Sequence, residues 1–162
     1  MDFITDLPPS NDIDTILTIV DRYTKMAHFF PCVKNISSQE TANIIMREVF
    51  RHHGLPNGII SDCGPHFISH FWKHLWAGLK ISYKLSSAYH PQTNGKMERT
   101  NQTLEQYLRC FINYRQDDWT NNLHIVEFAY NSTVHCSTMV TPFCAYTSNH
   151  SRRCILDLLE VS

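Results

Sequence analysis

Apolar and polar positions along the chain divide it into a run of strands followed by helices that alternate with further strands. MDFITDL alternates so that Asp2, Ile4 and Asp6 share one strand face, and the turn-forming PPSND ends the element. Residues 13–20, IDTILTIV, are β-branched and apolar as a buried strand requires. AHFFPCV at 27–33 follows after the polar break DRYTK, which predicts a hairpin with Asp21 as a turn residue rather than a metal ligand.

The spacing then becomes helical in SSQETANIIMREVFRHHG, with Ile44, Ile45, Val49 and Phe50 apolar, Ser37 or Ser38 as the cap, Glu40 in the first turn and Gly54 as the stop. GIISD reads as a short buried strand, HFISHFWKHLWAGL as an amphipathic helix and KISYKLSS as another strand, the rhythm of a parallel α/β unit. HPQTNG reads as a turn-rich loop running into a helix that extends from Gln92 to about Tyr114. Met97, Leu104, Leu108 and Phe111 line one face of that helix, while Glu98, Asn101, Gln102, Glu105 and Arg109 occupy the others. DDWTNNLHIVEFAYNST predicts a further helix capped by Asp117 or Asp118, and beyond it the pattern weakens. The expected order is βββαβαβαα, without an internal repeat or linker.

Composition changes this picture little. The 162 residues suit one domain, taken as 1–162, and 43% hydrophobic content argues against disorder. MDFITDLPPSND has neither the basic nor the apolar region of a secretory signal, and no apolar run approaches the ~18 residues of a spanning helix, so no membrane role is expected. Cysteines 32, 63, 110, 136, 144 and 154 form no C-x-x-C motif and read as reduced thiols of an intracellular protein. His66, His70 and His74 recur every four residues, but with no partner carboxylate or cysteine nearby they read as a histidine face rather than a zinc site. Trp72, Trp76 and Trp119 are expected in the core.

Charge is more informative in its distribution than in its sum of -1. Residues 51–115 carry 8 Lys+Arg against 3 Asp+Glu, whereas the segments on either side are acidic. The basic middle third contains two acids of interest, Asp62 and Glu98. Asp62 ends the GIISD strand just before Gly64-Pro65, Asp2 lies on the first strand, the natural neighbour of GIISD, and Glu98 can approach from its helix. Three carboxylates that meet without cationic side chains call for a bound cation, and two hard divalent ions would suit phosphoryl transfer on a phosphodiester.

The words around these acids carry a resemblance. MDFITDLP, TILTIVDRYTKMAHFFP, VFRHHGLPNGIISDCGPHF, SSAYHPQTNGKMERTNQTLEQYLR, VEFAYNST and TPF resemble, in order, successive blocks of the integrase catalytic core of Ty3/gypsy-type long-terminal-repeat retrotransposons, related to that of retroviruses. The 35 residues between Asp62 and Glu98 match the family's Asp, Asp, 35-residue gap, Glu pattern. The resemblance implies a ribonuclease H-like α/β fold, a five-stranded mixed sheet with helices on both faces. It implies Asp2, Asp62 and Glu98 as catalytic, metal-binding acids holding two Mg²⁺ or Mn²⁺ ions. The implied reaction is polynucleotidyl transfer, in which DNA 3′ ends are processed and then joined to target DNA.

By the same resemblance His90, Gln92, Asn94, Gly95, Lys96, Arg99, Asn101 and Gln102 are the candidate DNA-binding residues. The implied partners are retroelement ends, target DNA and further copies of the chain, with the nucleus as the place of action. The chain departs from the pattern at the front, where Asp2 follows only Met1, which leads to the expectation of a truncated first strand. The flanking zinc-binding and C-terminal DNA-binding regions are likewise expected to be absent. Two other readings share these residues: a module that keeps the fold and binds nucleic acid or protein without turnover, and a nuclease that only hydrolyses.

Overall fold

The computed structural model describes residues 1–61, 67, 69–85, 91–114 and 117–150, with the backbone alone at 84, 85, 91–99, 111 and 148–150. Three strands, β1 (Asp2–Ile4), β2 (Thr15–Val20) and β3 (Ala27–Cys32), form an antiparallel sheet in the order β1-β2-β3. The β2–β3 turn is held by Asp21, whose carboxylate accepts from the Thr24 amide at 3.0 Å and the Thr24 hydroxyl at 2.6 Å, as expected of a turn residue. β1 ends earlier than its alternation suggests, because Asp6 adopts a left-handed conformation with φ 62°.

Strand parity sorts the core into two halves. Phe3, Leu17, Ile19 and Phe30 point to one side of the sheet, where they pack with Ile45, Phe50, Phe67, Trp72 and Trp76. Ile4, Ile16, Ala27 and Phe29 point to the other, against Leu104, Leu108, Trp119, Leu123, Val126 and Tyr130. The sheet is therefore covered on both faces, and all three tryptophans are buried.

The first face is covered by α1 (Ser38–Ile44), a π-helical stretch (Ile45–Phe50), α2 (Arg51–His53) and α3 (His70–Gly78). Ser37 caps α1 in a reciprocal box with Glu40. Gly54, at φ 75°, stops the helical run where expected. The π-helical stretch has no counterpart in the apolar spacing. On the opposite face lie α4 (Pro91–Phe111) and α5 (Trp119–Ser132). Asp118 occupies the N-cap position of α5, but its carboxylate accepts from the Asn113 amide and lies 3.4 Å from Asn122 Nδ2, not on the helix amides. Asn131 of α5 ties the helix to β3, accepting from the Ala27 amide at 2.9 Å and donating to the Ala27 carbonyl at 2.8 Å. α6 (Pro142–His150) was not foreseen by the spacing; its Phe143 meets Phe128 of α5 at 5.7 Å between ring centroids.

The expected single five-stranded sheet is instead a three-stranded sheet and a separate parallel pair, β4 (Gly58–Ser61) with β5 (Ser82–Leu85). The Met1 α-amino group donates to the Ile60 carbonyl at 2.7 Å, which sets β1 beside β4. Among the described residues β1 has only three residues and pairs in register with β2, so the two sheets lie side by side as separate ladders. The helical alternation between β4 and β5 is as expected for a parallel pair, with α3 as the crossover. Among the described residues no helix is long and apolar enough to cross a membrane. Cys32, Cys110 and Cys136 are free thiols, whereas Cys144 is disulfide-bonded, which corrects the expectation of six reduced cysteines.

Candidate active site

Asp2 occupies the face of β1 that looks toward α4 and α5, as Ile4 does. Its carboxylate is held from two sides: Oδ1 accepts from the Phe3 amide at 2.9 Å and Oδ2 accepts from Asn101 Nδ2 at 2.7 Å. Because a carboxylate only accepts, the Asn101 amide nitrogen must be the atom that faces it. Asn101 is fixed by α4, whose Leu104 and Leu108 are buried against the sheet. Core packing of α4 therefore determines which residues reach the end of β1.

Glu98 lies three residues before Asn101 in the same helix, and by helical register their Cα atoms share one face. Its side chain lies outside the described residues, as do Asp62 and His90. Asp62 directly follows Ser61, the last residue of β4. That strand end is anchored: the Tyr83 hydroxyl donates to the Phe67 carbonyl at 2.8 Å, which leaves the Ser61 hydroxyl to donate to Tyr83 Oη at 2.7 Å. With Met1 bonded to Ile60, the backbone brings the Asp2 strand and the strand leading to Asp62 side by side.

Gln92, Asn94, Gly95, Lys96 and Arg99 lie within α4, and their side chains are also outside the described residues. The helix begins at Pro91, so Gln92, Asn94 and Gly95 are helical instead of forming the loop expected from HPQTNG. Proline suits a first helical position because the amide it lacks would have no helical partner there. Glu98 accordingly sits about two turns into the helix. Asn101 is half-buried against Asp2, and Gln102 is exposed.

Two buried oxygens lie near Asp2, one on Asn101, which the sequence singles out for DNA, and one on Thr18, which it does not single out. Asn101 Oδ1 and Thr18 Oγ1 have no hydrogen-bond partner among the described residues. Thr18 is the residue directly opposite Asp2 in the β1–β2 register. An unpartnered buried oxygen is costly unless something else meets it, and a hard oxygen atom beside a carboxylate is the donor chemistry that suits Mg²⁺ or Mn²⁺. Among the described residues no group of three or more His, Cys, Asp or Glu is placed to hold a metal ion. Asp2 is the one expected acid whose side chain is described.

A stability prediction follows from Thr18. Thr18→Val keeps the shape and removes an unpaired hydroxyl, so the metal-free protein should be unchanged or more stable by up to about 1 kcal/mol. Urea unfolding checks this, and a clear loss of stability would show that the hydroxyl has a partner.

No protein-family model matches the chain. It is 39% identical over 143 residues to the Transposon Tf2-3 and Tf2-4 polyproteins of Schizosaccharomyces pombe, a match covering 88% of this chain and 11% of each polyprotein. The chain thus spans about a tenth of the length of these relatives. Among solved structures, it resembles a chain of the simian T-cell lymphotropic virus intasome in complex with PP2A regulatory subunit B56 gamma, with a TM-score of 0.71 and 21% identity over 94% of this chain and 54% of that one. The catalytic core domain of BIV integrase gives a TM-score of 0.66 with 20% identity, covering 93% of this chain and 97% of that one. The HTLV-2 integrase catalytic core domain in complex with magnesium gives 0.65 with 17% identity, covering 87% and 90%. The chain is a relative of the Tf2 transposon polyproteins, of the Ty3/gypsy type, and carries the ribonuclease H-like fold of the retroviral integrase catalytic cores.

Proposed function

We propose that this chain is the catalytic core of a DNA integrase, a polynucleotidyl transferase that trims DNA 3′ ends and joins them to target DNA. The observation that carries the reading is the Asn101–Asp2 hydrogen bond at 2.7 Å, which fixes the α4 face bearing Glu98 against the β1 strand end. Asp2, Asp62 and Glu98 would hold two Mg²⁺ or Mn²⁺ ions. Bound there, such ions supply activation of a hydroxyl nucleophile and stabilisation of the leaving oxygen. Asn101 orients the Asp2 carboxylate, and β4, which leads to Asp62, is anchored through Ser61 and Tyr83.

The magnesium complex of the HTLV-2 core supports the choice of cation. His90, Gln92, Asn94, Gly95, Lys96, Arg99 and Gln102 flank Glu98 along the sequence and are the proposed DNA contacts, acting on phosphates without reading bases, while Asn101 is kept for Asp2. A nuclear site of action is part of the proposal, since the DNA substrate of a eukaryotic element would be met there. Self-association is part of the proposal: the HTLV-2 core is known in trimeric and dimeric forms, and Phe128 here leaves 64% of its surface in solvent.

Binding of Mn²⁺ tests the metal site. A cation that binds only the folded protein stabilises it by about 2.7 kcal/mol at one hundred times its dissociation constant. The wild type should therefore melt at a higher temperature in Mn²⁺, and Glu98→Gln should lose most of that rise. Equal rises in the two proteins would contradict the assignment.

A further inference from the structure

A second cluster forms where β3, α2, α5 and α6 meet. Glu127 of α5 is committed on both oxygens: Oε2 accepts from the Phe29 amide at 2.8 Å and Oε1 lies 3.0 Å from His28 Nδ1. Since a carboxylate facing an imidazole nitrogen must accept, the His28 proton belongs on Nδ1, and neutral His28 keeps its lone pair on Nε2. That Nε2 lies 2.9 Å from Nε2 of His53, at the end of α2. The His53 ring packs edge-on against Tyr146 of α6, with centroids 5.0 Å apart.

From this arrangement we infer that His28 and His53 form a binding site for a borderline divalent cation, Zn²⁺ being the best fit, with Glu127 orienting His28. A carboxylate that accepts from the distal N–H of a ligating imidazole is the recurrent support of histidine metal ligands, and here it is in place. Imidazole nitrogen selects Zn²⁺, Cu²⁺ or Ni²⁺ over the Mg²⁺ preferred by an all-oxygen site. Zinc–nitrogen bonds of about 2.0–2.1 Å at a tetrahedral angle separate the two nitrogens by about 3.3 Å, so the pair need open by only about 0.4 Å. His53 can supply that movement, because it is exposed and adjoins Gly54 at the helix end. Among the described residues no third ligand is placed on the same point, so water completes the shell. A cation there would cross-link β3 to α2 and act on stability, independently of the carboxylate centre.

The test is thermal unfolding with ZnCl₂ titrated in excess Mg²⁺, which occupies the oxygen-donor site. Zn²⁺ should raise the melting temperature of the wild type. His53→Ala, a change at an exposed helix end that leaves the core intact, should abolish the rise, while His52→Ala should keep it. Glu127→Gln should weaken the apparent affinity by about 10–100-fold. No rise in the wild type at millimolar Zn²⁺ would reduce the pair to a hydrogen bond and overturn the inference. A rise that survives His53→Ala, or is lost equally in His52→Ala, would place the zinc elsewhere and overturn it as well.

Discussion

Trp76→Ala is expected to destabilise the protein by about 3–5 kcal/mol, the range for removing a large aromatic side chain from a packed core. Trp76 is 1% exposed and stacks on Trp72 with ring centroids 4.9 Å apart and planes at 19°. It also meets Phe50 of the π-helical stretch and Tyr83 of β5, each at 6.1 Å. Its loss would open a cavity between α3, the π-helical stretch and β5, and rigid neighbours would refill it only in part. For a chain of this size the melting temperature should fall by on the order of 10 °C. Trp76→Phe is the control: Trp76 Nε1 has no hydrogen-bond partner among the described residues, so phenylalanine gives up an unsatisfied donor and costs much less. Because Tyr83 also fixes Ser61, the alanine variant should loosen the strand that leads to Asp62.

Much of this architecture was legible along the chain because its signals are local. Ser37 with Glu40, the Asp21 turn, Gly54 and the β-branched run at 15–20 each encode their geometry within a few residues, and each is found where expected. The helix expected from Gln92 begins at Pro91, within one residue, whereas the loop expected of Asn94-Gly95, a strong turn signal, gives way to helix opened by Pro91. α6 escaped because its apolar residues show little helical periodicity, and Phe143 finds its partner, Phe128, on another helix.

The site was legible as a list of acids and not as an arrangement. Asn101 reads from the sequence as a polar residue facing DNA, yet its partner is Asp2, 99 positions away. The same distance separates His28 from Glu127, and the histidine spacing drew attention instead to His66, His70 and His74. Of those, His70 and His74 are exposed on α3, and His66 lies outside the described residues. Pairings of this kind follow from which sheet face a residue occupies, and that is decided only once β1, β2 and β3 have their register.

The largest effect is expected at the acids themselves. Asp62→Asn and Glu98→Gln each remove a negative charge from the proposed metal site while leaving side-chain size unchanged, so the proteins should fold as the wild type does. Loss of residues that only orient metal ligands already costs about 10–100-fold in activity, so loss of a ligand should exceed about 100-fold. Asn101→Ala, which frees Asp2 without removing an acid, should fall between these variants and the wild type. A general loss of folding would lower all of them together with the melting temperature, which separates the two causes.

The most direct measurement is strand joining on a pre-assembled branched DNA in Mn²⁺, comparing the wild type with Asp62→Asn and Glu98→Gln. Joined product from the wild type, dependent on metal and absent from both variants, is the result predicted for an integrase core. Product formed equally by the variants, or none from folded wild-type protein, would contradict it, and the second outcome would point to a module that binds without turnover.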